Sequence, residues 1–248
     1  MKVCLAASES ITMANRSYFI KHCRYSLVSF YYIRKWQSEL FNSELFLLDS
    51  GAFTFINNNG ATKDFDDYLT KYIKFIKKND IKYFFELDVD AIVGYPKVLK
   101  MRERLEKETG KKCIPVWHKS RGLDEWYKLT KEYDYVAVGG FAIKDIKEQD
   151  FKYVTVLLDI AKQNGCKVHG LGFTNLKYIR TLHFYSVDST TWQSGNRFGT
   201  IYEFQNNTLK QHSHPKGKRL KSGEDRAEME RHNIDAWVKY QKYADYYL

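Results

Sequence analysis

Four aspartates and two histidines stand at the ends of short apolar runs in this chain: Asp49, Asp88, Asp90, His118, His169 and Asp188. Side chains of these types can serve as nucleophile, as general acid and base, or as acceptors for a polar substrate. The glycine pairs Gly139-Gly140 and Gly170-x-Gly172 fall at similar points. There, backbone N–H groups can approach a ligand closely. Taken singly, each residue has a plain structural explanation. Asp49 before Ser50-Gly51 suits a turn or a cap. Asp88 or Asp90 suits a solvated rim, and a lone histidine is commonly a satisfied core group. Together they favour an active site, because carboxylates this close repel one another unless a ligand or a catalytic task holds them.

The elements that must position them are legible as alternating patterns. Candidate strands run over residues 3–7, 45–48, 82–87, 113–117, 135–138, 167–171, 184–187 and 201–204. Helical spacing links them. In 64–78, Phe65, Tyr68, Leu69, Tyr72, Ile73 and Ile76 share one face, and Thr62 or Asp64 can cap it. Segments 95–109, 123–132, 149–164 and 175–181 read similarly, with Gly110 and Gly165 as stops. A last helix starts at about 224. Eight strands with helices between them, in 248 residues, predict an α/β fold of the (β/α)8 TIM-barrel type. A single domain over residues 1–248 is expected, with the C-terminal helix included. A doubly wound open sheet is the alternative, but no glycine-rich phosphate loop follows the first strand. Residues 26–36, aromatic and basic, fit either strand or helix.

Charge narrows the partners. Forty Lys and Arg against thirty Asp and Glu leave +10, which attracts polyanions, nucleic acid above all. A lysine-rich surface without a partner gives the same composition. Segment 206–223 carries Lys210, Lys216, Lys218, Arg219 and Lys221 and no acid. No apolar run approaches the ~18 residues of a membrane span, and the apolar start is too short for a signal peptide. Cys4, Cys23, Cys113 and Cys166 form no C-x-x-C pair. They read as reduced thiols of a cytoplasmic protein. Asp49, Asp88, Asp90, His118, His169 and Asp188 could hold a divalent ion, as in metal-dependent barrel hydrolases. No His-x-His follows the first strand, however, and no metal is expected.

In this order, these segments resemble the tRNA-guanine transglycosylase superfamily over about residues 45–197. Asp49-Ser50-Gly51-Ala52-Phe53 is similar to the family's Asp-Ser-Gly-Gly-aromatic motif. Asp88, with Asp90 and then Tyr95-Pro96, resembles the base-recognition segment. Val138-Gly139-Gly140-Phe141-Ala142 resembles the glycine loop, and His169-Gly170-Leu171-Gly172 the Met-Gly-Val-Gly segment. Val187-Asp188, followed by Ser194-Gly195-Asn196-Arg197, resembles the nucleophile and its Ser-Gly-Arg tail. Three features differ from the tRNA enzymes. No cysteine follows Cys166, so the zinc site is missing; Asp90 replaces a cysteine; and Trp117-His118 stands where they place glutamine.

The compact, zinc-free form resembles the phage and bacterial branch that inserts 7-deazaguanines into DNA. The resemblance implies a pentosyltransferase with Asp188 as nucleophile and Asp49 as acid and base. Ser50, Phe53, Asp88, Asp90, His118, Gly139, Gly140, Phe141, His169 and Gly170 would hold the base, with Phe53 and His169 stacking on it. Arg197, Lys216, Lys218, Arg219 and Lys221 would contact nucleic acid. The expected partners are DNA, with tRNA as the alternative, and a free 7-deazaguanine base such as preQ0. No cofactor is expected, and the site of action is the cytoplasm, that of the host if the chain is phage-encoded. Readings of another class are a metal-dependent hydrolase and a non-catalytic nucleic-acid binder. The latter gains nothing from Asp49 and Asp188 facing a polyanion.

Overall fold

Along β3 (Leu45–Asp49), successive side chains enter different cores. Phe46 and Leu48 join a large cluster that includes residues of the surrounding helices. Leu45 and Leu47 join a smaller one with Cys4, Ala6, Tyr25, Leu27, Phe85, Ile114, Val116, Tyr135 and Ala137, all strand or near-strand residues. The small cluster is thus the inside of a curled sheet, and the period of two decides what faces it. This computed structural model describes residues 1–52, 54–55, 64–173, 175–194, 199–212 and 223–248, with side chains from 226 in the last segment.

The chain begins with β1 (Lys2–Leu5), α1 (Met13–His22), β2 (Tyr25–Ser29) and β3. Next come α2 (Phe65–Lys78), the single turn α3 (Asp90–Val93), α4 (Tyr95–Thr109), β4 (Val116–Trp117) and α5 (Gly122–Glu132). After β5 (Tyr135–Val138), α6 (Phe151–Gln163), β6 (Lys167–Gly170) and β7 (Ser186–Ser189), a hairpin of β8 (Ile201–Gln205) and β9 (Thr208–His212) leads to α7 (Gly223–Tyr247). α2 forms where the spacing predicts it. The Asp64 carboxylate accepts from the N–H groups of Asp66 and Asp67 at 3.0 and 2.9 Å, a cap worth about 1 kcal/mol.

The sheet has seven strands in the order β3-β2-β1-β7-β6-β5-β4, every pair parallel. This overturns the expected closed (β/α)8 barrel. The fold is α/β, but the sheet is open and curled, with β3 and β4 as its edges. Two segments account for the difference. Residues 82–87 supply no strand, only the isolated parallel bridges Leu48↔Phe84 and Phe85↔Ile114 across the gap between the edges. The expected strand over 201–204 belongs to a separate antiparallel hairpin. Residues 26–36 resolve as most of β2 followed by the 3-10 segments Phe30–Tyr32 and Lys35–Asn42, and 175–181 form turns rather than a helix.

The seam between β3 and β4 is nevertheless reinforced. The Tyr72 hydroxyl from α2 lies 3.1 Å from the Leu48 carbonyl and 3.0 Å from that of Phe85. Beside it, fully buried Glu86 accepts from Arg102 Nε and the Val116 N–H, both at 2.7 Å. On the opposite side, α7 closes the fold over β1: Gln241 Nε2 donates to the carbonyls of Val3 and Tyr25 at 2.8 and 2.9 Å. Among the described residues, no helix is long and apolar enough to cross a membrane.

Candidate active site

The period of two that buries Leu45 and Leu47 carries Asp49 to the same inner face one step on. By the same rule His118 follows Val116 and Asp188 follows Ser186. At the C-terminal ends of the strands, where the apolar filling stops, these groups line a cavity of about 560 Å³. That volume lies within the usual range of ~300–1,000 Å³ for a small-molecule site.

Of the expected site residues, Asp49, Ser50, Asp88, His118, Gly140 and Asp188 line this cavity. Asp90, Gly139, Phe141, His169 and Gly170 do not. Phe141 packs on Phe173 at 4.9 Å, and Gly139 is backed by the His118 ring. Phe53, Arg197, Lys216, Lys218, Arg219 and Lys221 lie outside the described residues. Tyr32, Ile143, Thr190 and Thr191 complete much of the wall. No pattern of spacing marks them, because they sit on the irregular turns that follow the strands.

Asp188 is held from below. Its Oδ1 lies 3.2 Å from His169 Nε2 and accepts the Gly172 N–H at 2.5 Å. Gly172 has φ 71°, which glycine adopts freely, and a Cβ there would come within 3.0 Å of the Ala142 methyl. Oδ2 takes no hydrogen bond among the described residues. His169 is fully buried, with Nδ1 2.6 Å from Ser186 Oγ, and Ser186 in turn hydrogen-bonds the Tyr135 hydroxyl. Its ring therefore offers no stacking face to the cavity. It orients the carboxylate instead.

Asp49 occupies a different environment. Burial raises its pKa to about 7, opposed by the Gly51 N–H at 3.0 Å and reinforced by the charges of Asp188 and Asp88. A carboxyl group with this pKa can both give and take a proton near neutrality. Gly51 is required at this turn: its φ is 69°, and a Cβ would lie 2.6 Å from Ser29 Oγ and from Tyr31 Cβ.

Across the cavity, Asp88 Oδ1 is 2.7 Å from His118 Nε2. Burial pulls His118 down, but the hydrogen bond and charge of Asp88 outweigh it and leave its pKa above the ordinary value. Asp88, Asp90 and His118 bring one ligand atom each within 4.8 Å of one another, a spacing that would admit a metal ion. Arg121 already serves these carboxylates. Its guanidinium is 2.9 Å from Asp90 Oδ2, 3.9 Å from Asp88 Oδ1 and 3.4 Å from Glu86 Oε1, and it lies over the Tyr95 ring at 4.2 Å. A divalent ion would have to share the cluster with this buried cation, which disfavours it. Arg121 escaped the sequence reading because nothing in its local pattern shows that it reaches back to Asp90.

No family model matches the chain, and no curated protein does. Among solved structures, the crystal structure of RipC from Yersinia pestis aligns with a TM-score of 0.45 and 10% identity. The alignment covers 76% of this chain and 88% of that one. At this level of likeness neither fold nor activity is inferred from it.

Proposed function

We propose that this protein exchanges a purine base on a nucleic acid, replacing guanine by a 7-deazaguanine, as the resemblance of its motifs to the guanine transglycosylases implies. One observation carries the reading: two carboxylates of unlike character share one cavity. Among the described residues Asp188 is fixed by donors on one oxygen only, while Asp49 has its pKa raised to about 7. Such a division suits a nucleophile paired with an acid–base group.

In the first half-reaction, Asp188 Oδ2 attacks C1′ of the target nucleotide. The C1′–O bond forms as the C1′–N9 bond breaks, and protonated Asp49 gives its proton to the departing guanine. In the second, the incoming base loses a proton to Asp49, its nitrogen attacks C1′, and the Asp188 carboxylate leaves. Asp88 accepts from the N1–H and exocyclic amine of the purine, a contact adenine cannot make. The Gly140 N–H, in the cavity wall, would donate to the base carbonyl. The target nucleotide must leave its stack, at a cost of a few kcal/mol. DNA is favoured over tRNA by the absence of the cysteines of the tRNA enzymes' zinc site.

The deciding experiment offers radiolabelled guanine or preQ0 with DNA and tRNA in parallel, with and without chelator. Label retained in one polymer supports base exchange and names the substrate. Retention despite chelator separates it from metal-dependent hydrolysis. A denaturation-resistant adduct on an oligonucleotide should form with the wild type and vanish in Asp188→Asn. An adduct that persists in that variant moves the nucleophile elsewhere.

A further inference from the structure

Beside the cavity lies a second depression of about 580 Å³, and Glu9 lines both. Its other walls include Arg16 of α1 and the consecutive Arg34, Lys35 and Trp36, which follow β2. The same stretch of chain thus runs from Tyr32, in the cavity wall, directly into this groove. The Arg16 guanidinium lies over the Trp36 indole at 5.4 Å. Arg34 and Lys35 are exposed. None of these three cations forms an ion pair with a carboxylate among the described residues, unlike Arg24, Arg102, Arg104 and Arg121.

We infer that this groove is the track for the single strand flanking the flipped nucleotide. The inference rests on the base-exchange reading of the neighbouring cavity. Cations that form no ion pair with a carboxylate among the described residues, next to an indole, match a phosphodiester chain with bases that can stack. An aromatic ring with an arginine over it is already ordered, so little freedom is lost when a base docks. Glu39 also lines the groove, so its walls hold two carboxylates against three cations. Its grip is therefore confined to a few phosphates near the cavity mouth. That is what orienting one nucleotide requires.

The test uses a short fluorescein-labelled single-stranded oligonucleotide, as DNA in one arm and as RNA of the same sequence in the other. Binding is followed by anisotropy across a salt series. The Arg34→Gln/Lys35→Gln protein should bind about tenfold more weakly at low salt, and its slope of log K against log [salt] should be shallower by about 1.4, two contacts at ~0.7 each. Guanine binding by equilibrium dialysis and the melting midpoint should stay at wild-type values. The tighter arm identifies the polymer. An unchanged slope overturns the groove even if label exchange proceeds. A shallower slope without any label exchange keeps the groove and removes the base-exchange reading.

Discussion

His169 Nε2 lies 3.2 Å from Asp188 Oδ1, and the imidazole itself is fully buried. The pair places a buried donor beneath the carboxylate proposed as nucleophile, away from the cavity. Ser186 and Tyr135 extend the chain of polar contacts into the interior of the sheet. His169→Phe should lower the rate of label exchange by about 100-fold, the scale set by misplacing a reacting group by about 1 Å. Base affinity should be unchanged, and His169→Gln should restore part of the rate. Equal losses in rate and affinity for both variants would mean that the cavity had collapsed.

Asp49 should make stability depend on pH in an unusual direction. Its folded-state pKa is raised from 3.8 to about 7, so between those values the native state holds a proton that the unfolded chain has released. Stability contributed by this group therefore falls as pH rises from about 4 to about 7. The displacement corresponds to at most ~4 kcal/mol. Asp49→Asn should raise the melting midpoint at pH 8 and leave it nearly unchanged at pH 4, while abolishing exchange. A gain of the same size at both pH values would show that Asp49 does not titrate as described.

Under the proposed base exchange, Asp88→Asn replaces an acceptor with a donor facing the N1–H of guanine. Opposed donors in the pocket cost ~1–3 kcal/mol or more, so base affinity should fall at least tenfold by equilibrium dialysis. Binding of an oligonucleotide should scarcely change. Loss of both would make Asp88 a structural residue that serves His118.

Glu86 is fully buried between Arg102 and Arg121. Glu86→Gln leaves two buried guanidinium groups with less counter-charge, which should destabilise the protein by about 3–5 kcal/mol in urea denaturation. A loss under about 1 kcal/mol would mean that Asp90 and Asp88 suffice to neutralise Arg121.

The helices were the most legible elements, because the apolar face of a helix such as α2 is written at fixed spacing: Phe65, Tyr68, Leu69, Tyr72, Ile73 and Ile76 are all buried. The site carboxylates were legible for a related reason, since a charge at the end of an apolar alternation must emerge where the filling ends. The sheet was harder. In β2, Tyr25, Ser26, Leu27 and Val28 are all buried, so no alternation marked it as a strand. At 201–204 the alternation is real, but it belongs to a hairpin. Asn206 and Asn207 both have positive φ, 51° and 63°, and an Asn-Asn pair between two alternating runs was the signal for that turn. For residues 82–87, composition shows strand propensity but cannot show that the backbone pairs only at single points. The contact of His169 with Asp188 was not legible, because the two are 19 residues apart in sequence and adjacent only through the pairing of β6 with β7.

The seam at residues 84–86 divides the cavity mechanically. Asp49 and Asp188 belong to strands joined without interruption through β2 and β1, which should hold them together as one plate. Asp88 follows the segment tied to that plate by single bridges and by the Tyr72 hydroxyl. When the molecule breathes, the compliance lies there, and its amides should exchange with solvent before those of β1 and β7. Asp88 can then shift while Asp49 and Asp188 keep their spacing; under the proposed base exchange, that would give a spent base a way out without dismantling the chemistry.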